Sequence, residues 1–218
     1  MPGKIGPAQD RVSPRSDPQQ GRSRLRQQAL LDAAEEVLGE VGAEGLKMRE
    51  VARRANLPIA SVYHYFPSAP ALMRTLVERM LDDLRAILTE GVTRAAAASD
   101  SLEAERALVA IIDTAADFMD RRPNLPAVWG AMRAAPELRA LDVSDTEANA
   151  AFLAPAIGAL LPKAPAEDVE GLALVVIEGV VATLQLGCDL APAKRARVRA
   201  ALKEFVTAAM RELKEKYR

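Results

Sequence analysis

The sequence is poor in residue types on which several classes of protein depend. It holds one cysteine in 218 residues, so an internal disulfide framework and a cysteine-rich metal site are both excluded. Only 4% of the residues are aromatic, although 50% are hydrophobic. Alanine, leucine, valine, glutamate and arginine dominate, which is typical of helices rather than of sheets. We therefore predict an all-α protein of a reducing compartment.

Long hydrophobic runs and catalytic motifs are also missing. No stretch reaches the roughly 18 uninterrupted apolar residues of a membrane span, and the N-terminus is polar and proline-rich where a signal peptide has an apolar core. We expect a cytoplasmic protein with no membrane partner. The sequence has no phosphate loop, paired catalytic carboxylates, metal-ligand spacing or nucleophile motif. We therefore predict that it is not an enzyme and binds no cofactor or metal.

The formal net charge of −1 is unevenly distributed along the chain. Residues 1–75 carry 11 basic and 8 acidic side chains, whereas residues 76–218 carry 18 basic and 22 acidic ones. The N-terminal part is thus net positive, and the remainder is net negative. A polyanionic partner is expected to bind at the N-terminal end.

Apolar periodicity predicts a series of helices after a polar leader. Residues 1–21 are rich in proline and lack periodicity, so we expect a disordered tail there. A long helix is predicted to open at Pro67-Ser68, and the stretch 123–143 is predicted to be broken by its prolines into short helical turns. The other predicted helices span residues 22–41, 48–55, 58–65, 102–121, 144–161, 166–187 and 192–216.

The first predicted helix has an apolar residue at every fourth position. We predict that this stripe faces the core and that the helix ends at Gly42. The members of the stripe are Leu25, Ala29, Ala33, Val37 and Val41.

The helices near 48–55 and 58–65 have the pattern of a helix-turn-helix, in which only certain side chains fit the crossing. Ala52 is small at the closest approach, and Asn56 tolerates the left-handed backbone that the turn commonly needs. Tyr65 and Phe66 lie on the inward side, and we predict that they anchor the next helix in the core. Two short core helices joined by a loop are the alternative. The inward positions of the motif are Val51, Ala55, Leu57, Val62 and Tyr65.

The residues after the turn form a more specific signature. The run Ser61-Val62-Tyr63-His64-Tyr65-Phe66-Pro67-Ser68, with Leu72 beyond it, resembles the recognition helix and its exit in the TetR family of bacterial repressors. The resemblance implies a homodimer that sets one recognition helix of each chain into a palindromic DNA operator. It covers residues 22–90 and extends back through Leu30, Ala33, Ala34, Gly42, Arg49, Val51 and Ala52.

The resemblance also implies which residues contact DNA. Ser61, Tyr63 and His64 match contact positions of the family, and their polar groups can reach phosphates or base edges. Ile59 and Ala60 are candidates for contact with a thymine methyl group. His64 has no Ser, Cys or carboxylate partner in sequence that would make it a catalytic base. The predicted DNA-binding residues are Lys47, Arg49, Ile59, Ala60, Ser61, Tyr63 and His64.

Four positions depart from the family pattern. Lys47 and Pro58 stand where Ser or Thr usually caps the two helices, and Ala69 and Pro70 replace a lysine and an acidic residue at the start of the next helix. One phosphate contact is expected to be lost at Pro58, and another is expected to be weakened at Ala69. The candidate replacements are Lys47, Arg49, Arg53 and the arginines of the tail. The alternative function is a dimeric helical protein with a degenerate helix-turn-helix that binds a small molecule or a protein partner.

The two last helices carry apolar stripes that a monomer would struggle to cover. We predict that residues 22–68 form the DNA-binding domain and that residues 69–218 form a larger helical domain for dimerisation and ligand binding. Pairing with the same helices of a second chain would make a four-helix interface, as the family resemblance also implies. The predicted interface residues are Leu174, Val181, Leu184, Val198, Leu202, Phe205 and Ala209.

A ligand site is predicted around the proline-broken segment, where regular packing is hardest and a cavity is easiest to form. Few polar groups occur there, so we expect a small apolar or amphipathic effector. An ordinary core contains similar clusters of large apolar side chains and is the alternative. The predicted ligand-binding residues are Asp117, Phe118, Met119, Trp129, Met132, Phe152, Leu153 and Glu178.

Overall fold

The computed structural model describes residues 18–218, and these residues form nine α-helices and no strand. The all-helical prediction is therefore confirmed. Residues 1–17, which hold most of the predicted tail, lie outside the described residues. The helices are α1 (Pro18–Gly45), α2 (Met48–Arg54), α3 (Ile59–Tyr65), α4 (Ala69–Ala96), α5 (Ser101–Asp120), α6 (Leu125–Ala134), α7 (Pro136–Leu160), α8 (Ala166–Cys188) and α9 (Pro192–Lys216).

Helices α1 to α3 form an N-terminal helix-turn-helix unit, and α4 to α9 form the larger helical part. Helix α1 also packs on α6 and α4, so the two parts share a contact surface. The apolar core is continuous from one part to the other. Its most deeply buried N-terminal members are Leu30, Ala34, Val37, Leu38, Val51, Val62 and Phe66.

The predicted apolar stripe of α1 is wrong at three of its positions. Leu25 is 73% exposed and Val41 is 54% exposed, and Ala29 is exposed as well. An α-helix has about 3.6 residues per turn, so a four-residue repeat drifts by about 40° at each step and leaves the core face. The residues that do face the core follow mixed three- and four-residue spacing, and they are Leu30, Leu31, Ala33, Ala34, Val37 and Leu38.

The end of α1 agrees with the prediction, whereas its start does not. Helical geometry is interrupted at Gly42, which has φ 70° and ψ 179°. A positive φ of this kind favours glycine because glycine has no Cβ. The helix begins at Pro18 rather than at Arg22.

Two of the three prolines of the segment 123–143 lie at helix starts, and Pro123 lies in the turn before α6. Pro126 lies in the first turn of α6, and Pro136 lies in the first turn of α7. A first-turn proline has no intrahelical hydrogen bond to lose, and its fixed φ suits a helix. The predicted start of a helix at Ser144 is therefore wrong, because α7 begins at Pro136 and continues through Pro155 to Leu160.

Helix α4 connects the helix-turn-helix to the rest of the chain. Ser68 caps it, as predicted from Pro67-Ser68, by accepting a hydrogen bond from the backbone NH of Ala71 at 3.3 Å. Gly91 lets α4 and α5 approach closely, since a Cβ there would collide with Ile111. The apolar side of α4 faces the core, with Leu84 partly buried and Leu72, Leu76, Met80 and Leu88 buried.

Helix α8 is the one described helix that is long and apolar enough to cross a membrane by length and composition alone. The most apolar 18 residues of α8 have a mean hydropathy of 1.9, and 17% of them are buried within the chain.

Candidate DNA-binding face, ligand cavity and partner surface

The turn between α2 and α3 has the geometry that the sequence predicted. Asn56 has φ 51°, and it is the one non-glycine residue of the described chain with a positive φ. The backbone NH of Leu57 donates to the carbonyl of Ala52 at 3.0 Å, which closes the turn. Val51 and Val62 have no exposed surface, so each helix contributes a fully buried side chain. The angle between the two helices is therefore set by close packing.

One side of α3 faces solvent. Tyr63 is 53% exposed and Ile59 is 40% exposed, and Ala60 and His64 are exposed beside them. Ser61 is half-buried. The predicted contact residues of α3 thus form one accessible face with a phenol, an imidazole and apolar groups, which suits contact with a DNA groove.

The side chains that anchor α3 lie on its opposite side. Phe66 is 2% exposed, so its predicted place in the core is confirmed. Tyr65 is half-buried, and its hydroxyl lies 3.1 Å from the Ser23 hydroxyl of α1. The His64 ring packs edge-on against Tyr65, with 5.1 Å between the ring centres. These contacts orient the exposed face.

Two of the arginines of α2, Arg53 and Arg54, are held by carboxylates. Arg53 Nε donates to Glu50 at 2.9 Å, and Arg54 donates to both Glu40 oxygens at 2.6 and 2.8 Å. Hydrogen bonds from Arg54 and Arg53 hold the pKa values of Glu40 and Glu50, respectively, below their usual range. A phosphate that approached Arg53 would compete with Glu50, which weakens the expectation that Arg53 replaces a missing phosphate contact.

Two basic residues beside the motif lack such partners. Lys47 and Arg49 are exposed and form no ion pair with the described part of the chain. Neither α2 nor α3 has a side-chain N-cap, because Lys47 and Pro58 occupy the cap positions. The cationic groups best placed to meet a phosphate backbone are therefore Lys47 and Arg49.

A buried ionic cluster joins α1 to the larger helical part. Glu35 of α1 is 8% exposed and lies between Arg79 of α4 and Arg122 of the α5–α6 connection. Arg79 donates to Glu35 and to Asp32 at 2.6 Å each. Arg122 donates to Glu35 at 3.1 Å and to Asp83 at 2.7 Å. Burial disfavours the charge of Arg122, but Glu35 and Asp83 outweigh it and raise its pKa above the usual value.

An apolar cavity lies where α4, α5, α7, α8 and α9 meet. Its volume, traced by the centre of a water-sized sphere, is about 90 Å³. Asn149 is the one polar side chain among its described lining residues. The aliphatic walls include Leu88, Ile112, Leu153, Ile157, Val181 and Met210.

Only Leu153 of the predicted ligand-binding residues lines this cavity. Met119, Trp129 and Met132 are at most 3% exposed and belong to the core. Burial within α5 and α6 keeps these three side chains away from the cavity wall. Phe152 points outward and is 44% exposed.

The predicted polar and aromatic ligand residues also lie elsewhere. Asp117 is exposed and pairs with Arg199 of α9 at 3.0 Å. Phe118 packs beneath Arg122, whose guanidinium carbon is 5.1 Å from the ring centre. Glu178 is exposed on α8. Asn149, which comes just before an apolar run of α7, is the functional candidate that sequence reasoning missed.

Helices α8 and α9 both carry exposed apolar side chains. Leu174, Val175 and Leu186 of α8 are 42%, 58% and 57% exposed, and Phe205 of α9 is 62% exposed. We refer to these four residues as the α8–α9 face. Exposed apolar side chains of this size are the observation on which a partner surface can be proposed.

The predicted interface residues divide between this face and the chain's own core. Leu184 and Leu202 are each 8% exposed, so they pack within the chain and their prediction as interface is wrong. Val181 is half-buried and lines the apolar cavity. Val198 and Ala209 are also half-buried. Only Leu174 and Phe205 of the predicted set are largely exposed. A helical stripe read from sequence does not separate residues that face the core from residues that face a partner.

A rigid helix-turn-helix with an accessible second helix, followed by a larger helical part, defines a transcription regulator of the helix-turn-helix class. Residues 30–76 match the model of the family of bacterial regulatory proteins of the tetR type, and residues 102–213 match the tetracyclin repressor-like C-terminal domain. The second match alone spans more than half of the chain.

Individual relatives agree with the family models. The chain is 31% identical over 170 residues to the HTH-type transcriptional regulator BetI of Burkholderia mallei, a match that covers 75% of this chain and 83% of the relative. The BetI regulator of Rhizobium meliloti is 30% identical over 167 residues, with 75% and 79% covered. The chain belongs to the TetR family of bacterial transcriptional regulators.

Solved structures show the same fold. A TetR-family regulator from Streptomyces coelicolor has a TM-score of 0.62 at 25% identity and covers 86% of this chain and 99% of its own. A transcriptional regulator from Pseudomonas aeruginosa has a TM-score of 0.72 at 16% identity, with 94% and 97% covered. The helix order is therefore shared along nearly the whole chain.

Proposed function

We propose that the protein is a cytoplasmic homodimeric repressor that binds a palindromic DNA operator through α3 and releases it when an apolar effector enters the cavity. The single observation that carries the DNA part is the exposed face of α3, held by the buried Phe66 and Val62. Lys47 and Arg49 lie at the start of α2, where unpaired cations can meet phosphates.

Selection of random duplex DNA by the purified protein tests this proposal. We expect enrichment of one palindrome, and we expect the double variant Tyr63→Ala/His64→Ala to lose about 10- to 100-fold in affinity for it, because each removed contact is worth about 1 kcal/mol. Phe152→Ala is the matched control, since this exposed aromatic lies on α7 away from α3. Lack of enrichment by a folded, dimeric protein would contradict operator binding.

The alternative is a ligand- or partner-binding dimer whose helix-turn-helix no longer reads DNA. The missing side-chain caps at Lys47 and Pro58 favour it, because those side chains also bond phosphates in the family pattern. The same selection experiment separates the two functions.

The dimer is proposed to form through the α8–α9 face. Helix α8 is apolar, and its own chain buries only 17% of its most apolar 18 residues. Pairing of the α8–α9 face with the same face of a second copy would cover the exposed apolar side chains of both chains. A Cβ atom at Gly171 or Gly179 of α8 would have no neighbouring atom within 4 Å, so there is room for close approach of a partner helix.

Replacing Phe205 with glutamate should convert the dimer to a monomer. Phe205 is 62% exposed, and a carboxylate buried at its place in an apolar interface would lack a partner. Sedimentation equilibrium measures the result. Leu102→Glu, at a residue of α5 that is 55% exposed, is the control and should leave the mass unchanged. An unaltered dimer in Phe205→Glu would place the interface elsewhere.

The effector is proposed to act through α4. Leu84 and Leu88 of this helix line the cavity. Only three residues separate the start of α4 from the end of α3. Arg79 of the same helix bonds Glu35 of α1. A ligand that prefers one position of α4 would therefore shift the spacing of the two recognition helices.

A further inference from the structure

Asn149 presents an unused hydrogen-bond acceptor to the apolar cavity. It is 8% exposed, and its Nδ2 donates to Asp145 Oδ2 at 2.7 Å. An ionised carboxylate only accepts hydrogen bonds, so the amide nitrogen must face Asp145 and the amide oxygen must face away from it. Within the described residues Asn149 Oδ1 has no hydrogen-bond partner. A ligand that donates a hydrogen bond would match this free acceptor.

The position of Asp145 fixes this orientation. Arg85 of α4 pairs with Oδ1 of the same carboxylate, while Asn149 occupies Oδ2. Both oxygens of Asp145 therefore accept hydrogen bonds, and rotation of the Asn149 amide by 180° would break the bond from Nδ2. The unit Arg85–Asp145–Asn149 holds one acceptor at a constant place in the cavity wall.

The rest of the wall disfavours charged ligands and offers aromatic ones no stacking partner. No Lys, Arg, His, Asp or Glu is among the described lining residues, so an ionic head group would be buried without a counter-charge. An anion would in addition face the amide oxygen of Asn149, acceptor against acceptor. No aromatic side chain lines the cavity in the described chain, so an aromatic ligand would find no stacking partner.

The size of the cavity limits the length of the ligand. Its volume, traced by the centre of a water-sized sphere, is about 90 Å³. One water needs about 10–15 Å³ on the same measure, which gives space for on the order of six to nine ligand atoms. This matches a chain of medium length rather than a long acyl chain.

We propose that the cavity selects a neutral, medium-chain aliphatic molecule with a hydrogen-bond donor at its polar end, such as a primary alcohol, whose donor bonds Asn149 Oδ1. The selection extends the proposed function, in which this cavity holds the effector.

Calorimetric titration of the full chain at neutral pH tests the selection with four ligands that have the same number of non-hydrogen atoms. 1-Octanol is the donor, 1-methoxyheptane has an acceptor only, and heptanoate and octylammonium are ions. We expect 1-octanol to bind about tenfold more tightly than the ether, which leaves Asn149 Oδ1 unpaired. We expect both ions to bind about 100-fold more weakly than 1-octanol, because each buries an unpaired charge.

Two variants separate the hydrogen bond from the apolar space. Asn149→Leu should bind 1-octanol and the ether equally, with the ether unaffected. Val180→Phe, which fills space beside the α8 wall, should abolish binding of all four ligands. Thermal unfolding checks the fold of each variant. If Asn149→Leu does not fold, the four-ligand titration of the unaltered protein still tests the proposed selection.

The outcomes for selection and for function are distinct. Equal binding of 1-octanol and heptanoate, equal binding of 1-octanol and the ether, or no binding of 1-octanol overturns the selection. If 1-octanol binds as expected but leaves the affinity for the selected operator unchanged, the cavity keeps its selectivity and the proposed ligand response is contradicted.

Discussion

Glu35→Ala is expected to lower the free energy of unfolding by about 3–5 kcal/mol, the usual loss when one partner of a buried ion pair is removed. The Glu35 side chain is 10% exposed, and those of Arg79 and Arg122 are 14% and 19% exposed. Its removal leaves two largely buried guanidinium groups with fewer partners. Urea unfolding followed by circular dichroism measures the loss.

The control for this variant is an exposed pair on α4. Arg74 donates to Glu78 at 2.8 Å, and their side chains are 57% and 41% exposed. Glu78→Ala should cost less than about 0.5 kcal/mol, since solvent screens such a pair. Similar losses for Glu35→Ala and Glu78→Ala would mean that the buried cluster does not hold α1 to the larger helical part.

Phe66→Ala is expected to destabilise the protein by about 3–5 kcal/mol, because a fully buried aromatic is replaced by a cavity. Phe66 is 2% exposed and lies between α3 and α4, so it sets the exit of the recognition helix. We also expect the variant to lose operator binding while α3 keeps its exposed contact residues. Denaturant unfolding and DNA titration measure the two effects.

An exposed aromatic provides the comparison for Phe66. Phe152→Ala should cost less than about 1 kcal/mol, because 44% of that side chain is already in contact with solvent. A loss below about 1 kcal/mol for Phe66→Ala as well would contradict the core role of Phe66.

The helix-turn-helix could be predicted in detail because its determinants are local. Asn56 has the left-handed backbone that the turn chemistry required, and Val51, Ala52 and Val62 are buried as the spacing predicted. Residues a few positions apart share one turn of helix or one tight turn, so their types constrain each other directly. The interruption of α1 at Gly42 was predicted for the same reason.

The segment 123–143 was predicted wrongly because proline has opposite effects at the start and in the interior of a helix. Pro126 and Pro136 lie in the first turns of helices, where proline is favoured, whereas in a helix interior it removes a hydrogen bond. Which of these effects a proline has depends on where the helix starts. The ligand site that rested on this segment was therefore placed among core residues such as Trp129 and Met132.

The sequence by itself determined the helical class, the recognition motif and the residues that α3 presents, since periodicity, turn chemistry and side-chain size act over a few positions. The tertiary structure decided the cavity, the division of α8 and α9 between core and exposed face, and the ionic cluster. Glu35 is 44 residues from Arg79 and 87 from Arg122, and the cavity needs walls from five helices. Such contacts depend on how distant helices pack, which local patterns do not specify.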